Sequence, residues 1–181
     1  PRRQKLCVSG LTKTDRIKAI EYIRTEFIKS AAIETHFAWL RYKKINTGAD
    51  NELQTGNIPE GFKRQMYYTF GDYRDIFFGR DISTHAYISK VSPKVITILQ
   101  GENVTKSEGK QKYKNELLDD WWNRHAEDIW EGMLCALTHK ISDEEKKNLI
   151  KSEYSYDQLK KTTNDTPSLK EFAERPQFLR W

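Results

Sequence analysis

Two long stretches of this chain carry apolar and aromatic residues at steps of three and four, and that periodicity decides the fold class. From about Thr14 to Lys44, one stripe comprises Ile20, Ile23, Phe27, Ala31, Glu34 and Ala38, and a second Ile17, Ile28, Ala32, Thr35 and Trp39. A helix apolar on two faces is packed from two sides. At 1.5 Å per residue, thirty residues span roughly 45 Å, a strut with Asp15 as its expected cap. The second stretch runs from Tyr113 to His139, with Leu118, Trp122, His125, Ile129, Met133 and Ala136 in line and Trp121 and Trp130 widening the stripe. Between them, Phe62, Met66, Phe70, Tyr73 and Phe77 follow Pro59, which suits a first helical turn, and end at Gly79, a natural stop. Strand-like alternation is almost absent. The pattern predicts an all-α helical bundle on two long antiparallel helices, 14–44 and 113–139. Helix 59–78 packs against them, and long polar loops connect them.

The shorter elements follow from local chemistry. Val91 to Leu99 reads as a short helix ended by Gly101, although Val95-Ile96-Thr97-Ile98 has strand propensity. Ser142 with Glu145, and Ser168 with Glu171, have the spacing of capping boxes, and Pro176 stops the second of these helices. Residues 45–57, 101–112 and 152–167 are polar and read as loops. Gly71 in mid-helix costs about 1 kcal/mol relative to Ala, so its expected use is to admit another helix closely.

Aromatic residues make up 12% of 181 residues, enough to build a core within a single domain. No apolar run approaches the length of a membrane span, and Pro1-Arg2-Arg3-Gln4-Lys5 is followed by no signal-like apolar stretch. The net charge of +5 favours an acidic partner or serves solubility.

Little in the chain signals chemistry. There is no CxxC, HExxH, GxSxG or phosphate-cradling glycine loop. His36 and His125 sit beside aromatics on the long segments and read as hydrogen-bonded core or boundary residues. Asp72 and Asp75, three apart on a helix near Arg64 and Arg74, read as an ion-pair network rather than a metal site. No cofactor is implied. Basic clusters are the candidate binding residues, above all Arg41, Lys43 and Lys44, and Lys110, Lys112 and Lys114. Acids are interleaved in most such segments, so a solvated face is the alternative for each.

Four stretches together resemble one family. They are Pro1-Arg2-Arg3-Gln4-Lys5-Leu6-Cys7; Phe70-Gly71-Asp72-Tyr73-Arg74-Asp75-Ile76 with Gly79 and Asp81; Trp121-Trp122 followed by Ile129-Trp130; and Pro176-Gln177-Phe178-Leu179-Arg180-Trp181. In order and wording they resemble the Duffy-binding-like domain of malaria erythrocyte-binding ligands and variant erythrocyte membrane adhesins. The stretch Phe27-Ile28-Lys29-Ser30-Ala31-Ala32-Ile33-Glu34-Thr35 is similar to the variant adhesins in particular.

The resemblance implies a helical adhesion module on the outer face of the infected erythrocyte, with no enzyme activity. The implied partner is a host cell-surface receptor protein, the intercellular adhesion molecule among them, or a sulfated glycan held by basic clusters; nucleic acid is not implied. Relative to a full module, the N-terminal arm and the cysteine-rich last subdomain look absent from residues 1–181, and Ser30 stands where related domains often carry cysteine. Tyr73, Arg74, Asp75, Trp121, Trp122 and Trp130 then hold the fold, and the polar loops do the recognition. A surface location favours oxidised thiols. With antiparallel long helices, a Cys7–Cys135 bridge is geometrically open; the alternatives are a Cys7 whose partner lies upstream and a free Cys135.

Overall fold

The computed structural model describes residues 6–13, 19–82, 86–106, 114–161 and 167–180, with the backbone alone for 102–106. Every regular element among them is helical. In chain order they are α1 (Ser9–Thr12), α2 (Ile20–Ile45), α3 (Ala49–Gln54), α4 (Glu60–Phe78), α5 (Val91–Lys106), α6 (Lys114–Thr138), α7 (Glu144–Glu153), α8 (Tyr156–Leu159) and α9 (Leu169–Glu174), with 3-10 turns at Ile88–Lys90 and Gln177–Leu179.

The core is aromatic and sits where α2, α4 and α6 meet. Phe27 of α2 lies edge-on to Phe77 of α4 at 5.5 Å, and Phe77 stacks on Trp121 of α6 at 4.6 Å. At the other end Trp39 meets Phe62 at 4.9 Å, and Tyr67 meets Trp130 at 5.8 Å. Residue numbers rise along α2 while they fall along α4, and the same holds between α4 and α6. Helix α4 is therefore antiparallel to both long helices.

This corrects the expected antiparallel pairing of the two long helices, which run parallel. Arg24 holds Asp128 at 2.7 Å, Ile28 abuts Gly132, and His36 lies 5.0 Å from His139. The numbers climb together along both helices. The physical reason is that α4 already makes the return stroke, so the third long helix repeats the first one's direction. Gly132 makes the approach close: a Cβ there would stand 2.7 Å from the Ile28 side chain.

Several boundaries also differ. Helix α2 starts at Ile20 behind Ala19, which makes no side-chain cap, and the expected cap Asp15 lies outside the described residues. The loop 45–57 holds α3, entered through Gly48 at φ 95°, and the loop 152–167 holds α8. Gly101 does not end α5, because it keeps helical φ and one mid-helix glycine costs only about 1 kcal/mol. Of the expected loop 101–112, residues 107–112 lie outside the described residues. The cap of α7 is Asp143 rather than Ser142: its carboxylate accepts from the amides of Glu145 and Lys146 at 2.9 and 3.2 Å. Ser168 and Glu171 form the reciprocal capping box at 3.2 and 2.9 Å, and Gly79 ends α4 at φ 68°.

Candidate functional site

The motif residues build the interior. Tyr73, Trp121 and Trp130 are fully buried, and Trp122 and Asp75 nearly so. The Trp130 indole donates to the Tyr154 carbonyl at 2.7 Å, tying α6 to the end of α7. The Tyr73 hydroxyl donates to the Cys7 carbonyl at 2.6 Å, with the Ser30 carbonyl 2.9 Å away, so one proton serves two acceptors. Burial, the largest cause, and then the nearby Glu34 push the Tyr73 phenol well above its ordinary pKa, so it stays a donor.

Asp72 and Asp75 meet a partner that the spacing did not suggest. Their partner is Arg180, whose side chain is wholly buried: it donates to Asp75 and lies 3.6 Å from Asp72. Gly71 admits this guanidinium rather than a helix, since a Cβ there would lie 2.8 Å from Nη1. Arg74 stands 3.7 Å from Glu174 and over the Phe78 ring at 4.5 Å, and Asp75 also favours its charge. Spacing favoured local partners, but the guanidinium that fits between two carboxylates one turn apart comes from the end of the chain.

Cys7 and Cys135 are both free, so no bridge joins them. The amide of Cys7 donates to Glu34 at 3.0 Å, which places it on the 26/30/34 row of α2; α6 follows the 24/28/36 row. Those rows are two residues apart, about 200° around the helix, so α2, about 10 Å thick, stands between the thiols.

Among the described residues, the predicted binding cations do not form one face. Arg41 donates to Glu34 at 3.0 Å, Lys43 donates to Asp50 at 3.1 Å, and Lys44 is exposed beside them at the end of α2. Lys114 is the exposed first residue of α6. With α2 and α6 parallel, these groups occupy opposite ends of the bundle, separated by about the 37 Å length of α6. Lys110 and Lys112 lie outside the described residues.

Two surfaces stand out that the sequence patterns did not single out. On α2, Lys29, Ile33, Phe37 and Arg41 follow one another at steps of four on the solvent side, with Tyr22 and Ile45 continuing the line; Phe37 is 52% exposed and Ile33 43%. The two inward stripes drew attention from the outward row, although its i, i+4 spacing was visible. The second surface is a cleft of about 390 Å³ between α4 and the C-terminal segment, lined by Lys63, Arg64, Tyr67, Phe172 and Arg175. No spacing rule joins Arg175 to Lys63 across such a length of chain.

A family model described as the Duffy binding domain matches residues 1–180. No curated protein matches the chain. No helix among the described residues is long and apolar enough to cross a membrane.

Proposed function

The chain belongs to the Duffy binding domain family, whose members are extracellular adhesion modules that bind receptors, and on that premise we propose that it binds a host cell-surface receptor protein through the outward row of α2. We place it, as one module, on the outer face of the infected erythrocyte. The observation that carries this reading is the exposed pair Ile33 and Phe37 set between Lys29 and Arg41. Protein interfaces concentrate their energy in a few apolar or aromatic anchors within a polar rim, and this row has that composition on a rigid helix. Among the described residues, Phe37 makes an edge contact with His36 at 5.4 Å and keeps about half its surface in solvent.

A screen of recombinant host surface proteins, intercellular adhesion molecule included, identifies the receptor. Phe37→Asp and Ile33→Asp are expected to weaken capture at least about tenfold, the size of an anchor's loss, while the melting temperature stays put. Undiminished binding by both variants would overturn the reading. The cleft at Lys63, Arg64 and Arg175 supports a second one, a sulfated glycan held by cations. Its signature is a steep fall in heparin or chondroitin sulfate binding as salt rises, abolished by Arg64→Ala with Arg175→Ala.

A further inference from the structure

The parallel course of α2 and α6 brings their C-terminal halves side by side, and α3 folds back over them. The three elements enclose a cleft of about 250 Å³. Its floor is apolar, with Trp39 and Leu53 almost completely buried. Its rim carries His36 and Lys43 from α2, and His139 and Lys140 from the end of α6.

The rim is short of negative charge. Asp50 of α3 is the one acid lining the cleft among the described residues, and it is engaged by Lys43 at 3.1 Å. Two lysines and one aspartate leave one net positive charge with neutral imidazoles, and three with both protonated. The negative ends of α2 and α6 each offset about half a charge of this, which brings the rim close to neutral until an imidazole is protonated. The two imidazoles stand 5.0 Å apart. His139 Nδ1 lies 2.8 Å from the Ala136 carbonyl, a contact it makes as an N–H donor, which leaves its other nitrogen to face the cleft's ligand. Burial, and then His139, Lys140 and Lys43, hold the His36 pKa below its ordinary value.

We propose that this cleft binds a carboxylate carried on a short apolar stem, the stem on Trp39 and Leu53 and the carboxylate between the imidazoles and Lys140. The volume lies below the ~300–1,000 Å³ of ordinary ligand sites, so a sugar chain or a nucleotide is too large. The apolar floor selects against a bare inorganic anion, and the rim selects against an uncharged group. An anion stabilises the protonated imidazoles, so affinity rises as pH falls. Of the charged groups lining the cleft, Lys140 and Lys43 oppose protonation of His36, and Asp50 is the acid on the rim. The site does not rest on the receptor reading, because a small probe reports on this chain alone.

The test is a titration with phenylacetate, followed by NMR at the Trp39 indole and the two imidazoles. Saturable shifts are expected, with affinity about tenfold higher near pH 5.5 than near pH 7.5. His139→Ala and Lys140→Ala, both at exposed positions, should each weaken binding about threefold. Asp50→Asn should tighten it by releasing Lys43, and Lys90→Ala, at an exposed position in the 3-10 turn Ile88–Lys90, should change nothing. A blocked Leu-Glu-Leu peptide that competes as well as phenylacetate assigns the natural group to a polypeptide side chain; competition by free acids alone assigns it to a small metabolite. Failure to saturate, equal shifts from benzylamine, or indifference to pH and to both rim substitutions would overturn the proposal.

Discussion

The guanidinium of Arg180 lies directly against Gly71, so close that a methyl group on Gly71 would stand 2.8 Å from Nη1 and 3.0 Å from Cζ. Arg180 cannot swing aside. Its side chain is fully buried, donates to the Ala173 carbonyl at 2.9 Å, and is held by Asp75 and Asp72. Alanine substitutions at Gly71 and Gly101, each inside a helix, therefore differ in sign. Gly71→Ala gains about 1 kcal/mol of helix propensity but forces overpacking worth about 1–3 kcal/mol, so it should destabilise. Gly101 has nothing within 4 Å of a Cβ, and Gly101→Ala should stabilise by about 1 kcal/mol. Urea unfolding of both variants checks the contrast, and a stabilised Gly71→Ala would refute the placement of Arg180.

Removing the guanidinium itself should cost more. Arg180→Met keeps much of the volume and leaves two buried carboxylates one turn apart without it. Losing one partner of a buried ionic group typically costs about 3–5 kcal/mol, largely through the charge left behind. Arg24→Ala is the comparison. It breaks a two-bond pair with Asp128 at 2.7 and 2.8 Å, but the arginine is half exposed, so its loss should cost at most about 1 kcal/mol.

This contrast shows where the sequence was legible. The Phe62–Phe77 and Leu118–Ala136 stripes located α4 and α6 closely, because each is a local pattern with a period. Direction is not local. A stripe states which face is buried but is the same read either way, so the parallel course of α2 and α6 was hidden until Phe27–Phe77 and Phe77–Trp121 fixed α4 between them. Arg180 was equally hidden, since Asp72 and Asp75 had nearer arginines and only the folded chain brings its end to Gly71. The outward row of α2 was visible as spacing, but two inward stripes left its role open.

Cys7 and Ser30 share the Tyr73 hydroxyl through their carbonyls, at 2.6 and 2.9 Å, so their backbones are neighbours. Ser30→Cys should therefore let Cys7 form a disulfide, which α2 denies it with Cys135. A loop of this size adds roughly 3 kcal/mol in the chain-entropy model. Mass spectrometry of the unreduced, alkylated variant should show a 7–30 cross-link and an alkylated Cys135. Three alkylated thiols would contradict the predicted neighbourhood.

Acid should weaken the fold through His36. Burial, and then His139, Lys140 and Lys43, lower its folded pKa below the ordinary 6.5, so the native state favours the neutral ring. As pH falls through 6.5 the unfolded chain takes up a proton that the folded chain resists, and stability drops. The loss levels off once pH passes the folded value. Asp128 acts in a separate window: hydrogen bonding from Arg24 lowers its pKa from the ordinary 3.8, so its contribution is present above that value and disappears only in stronger acid. Between about pH 7.5 and about pH 5.5 the His36 contribution therefore stands apart from that of Asp128. The His36→Gln variant should lose less melting temperature over this interval than the parent chain, at equal ionic strength. Phenylacetate, held by the protonated rim, should restore more of the parent's loss at the lower pH than of the variant's. An identical pH slope in parent and variant would place His36 outside the charged rim that the fold gives it.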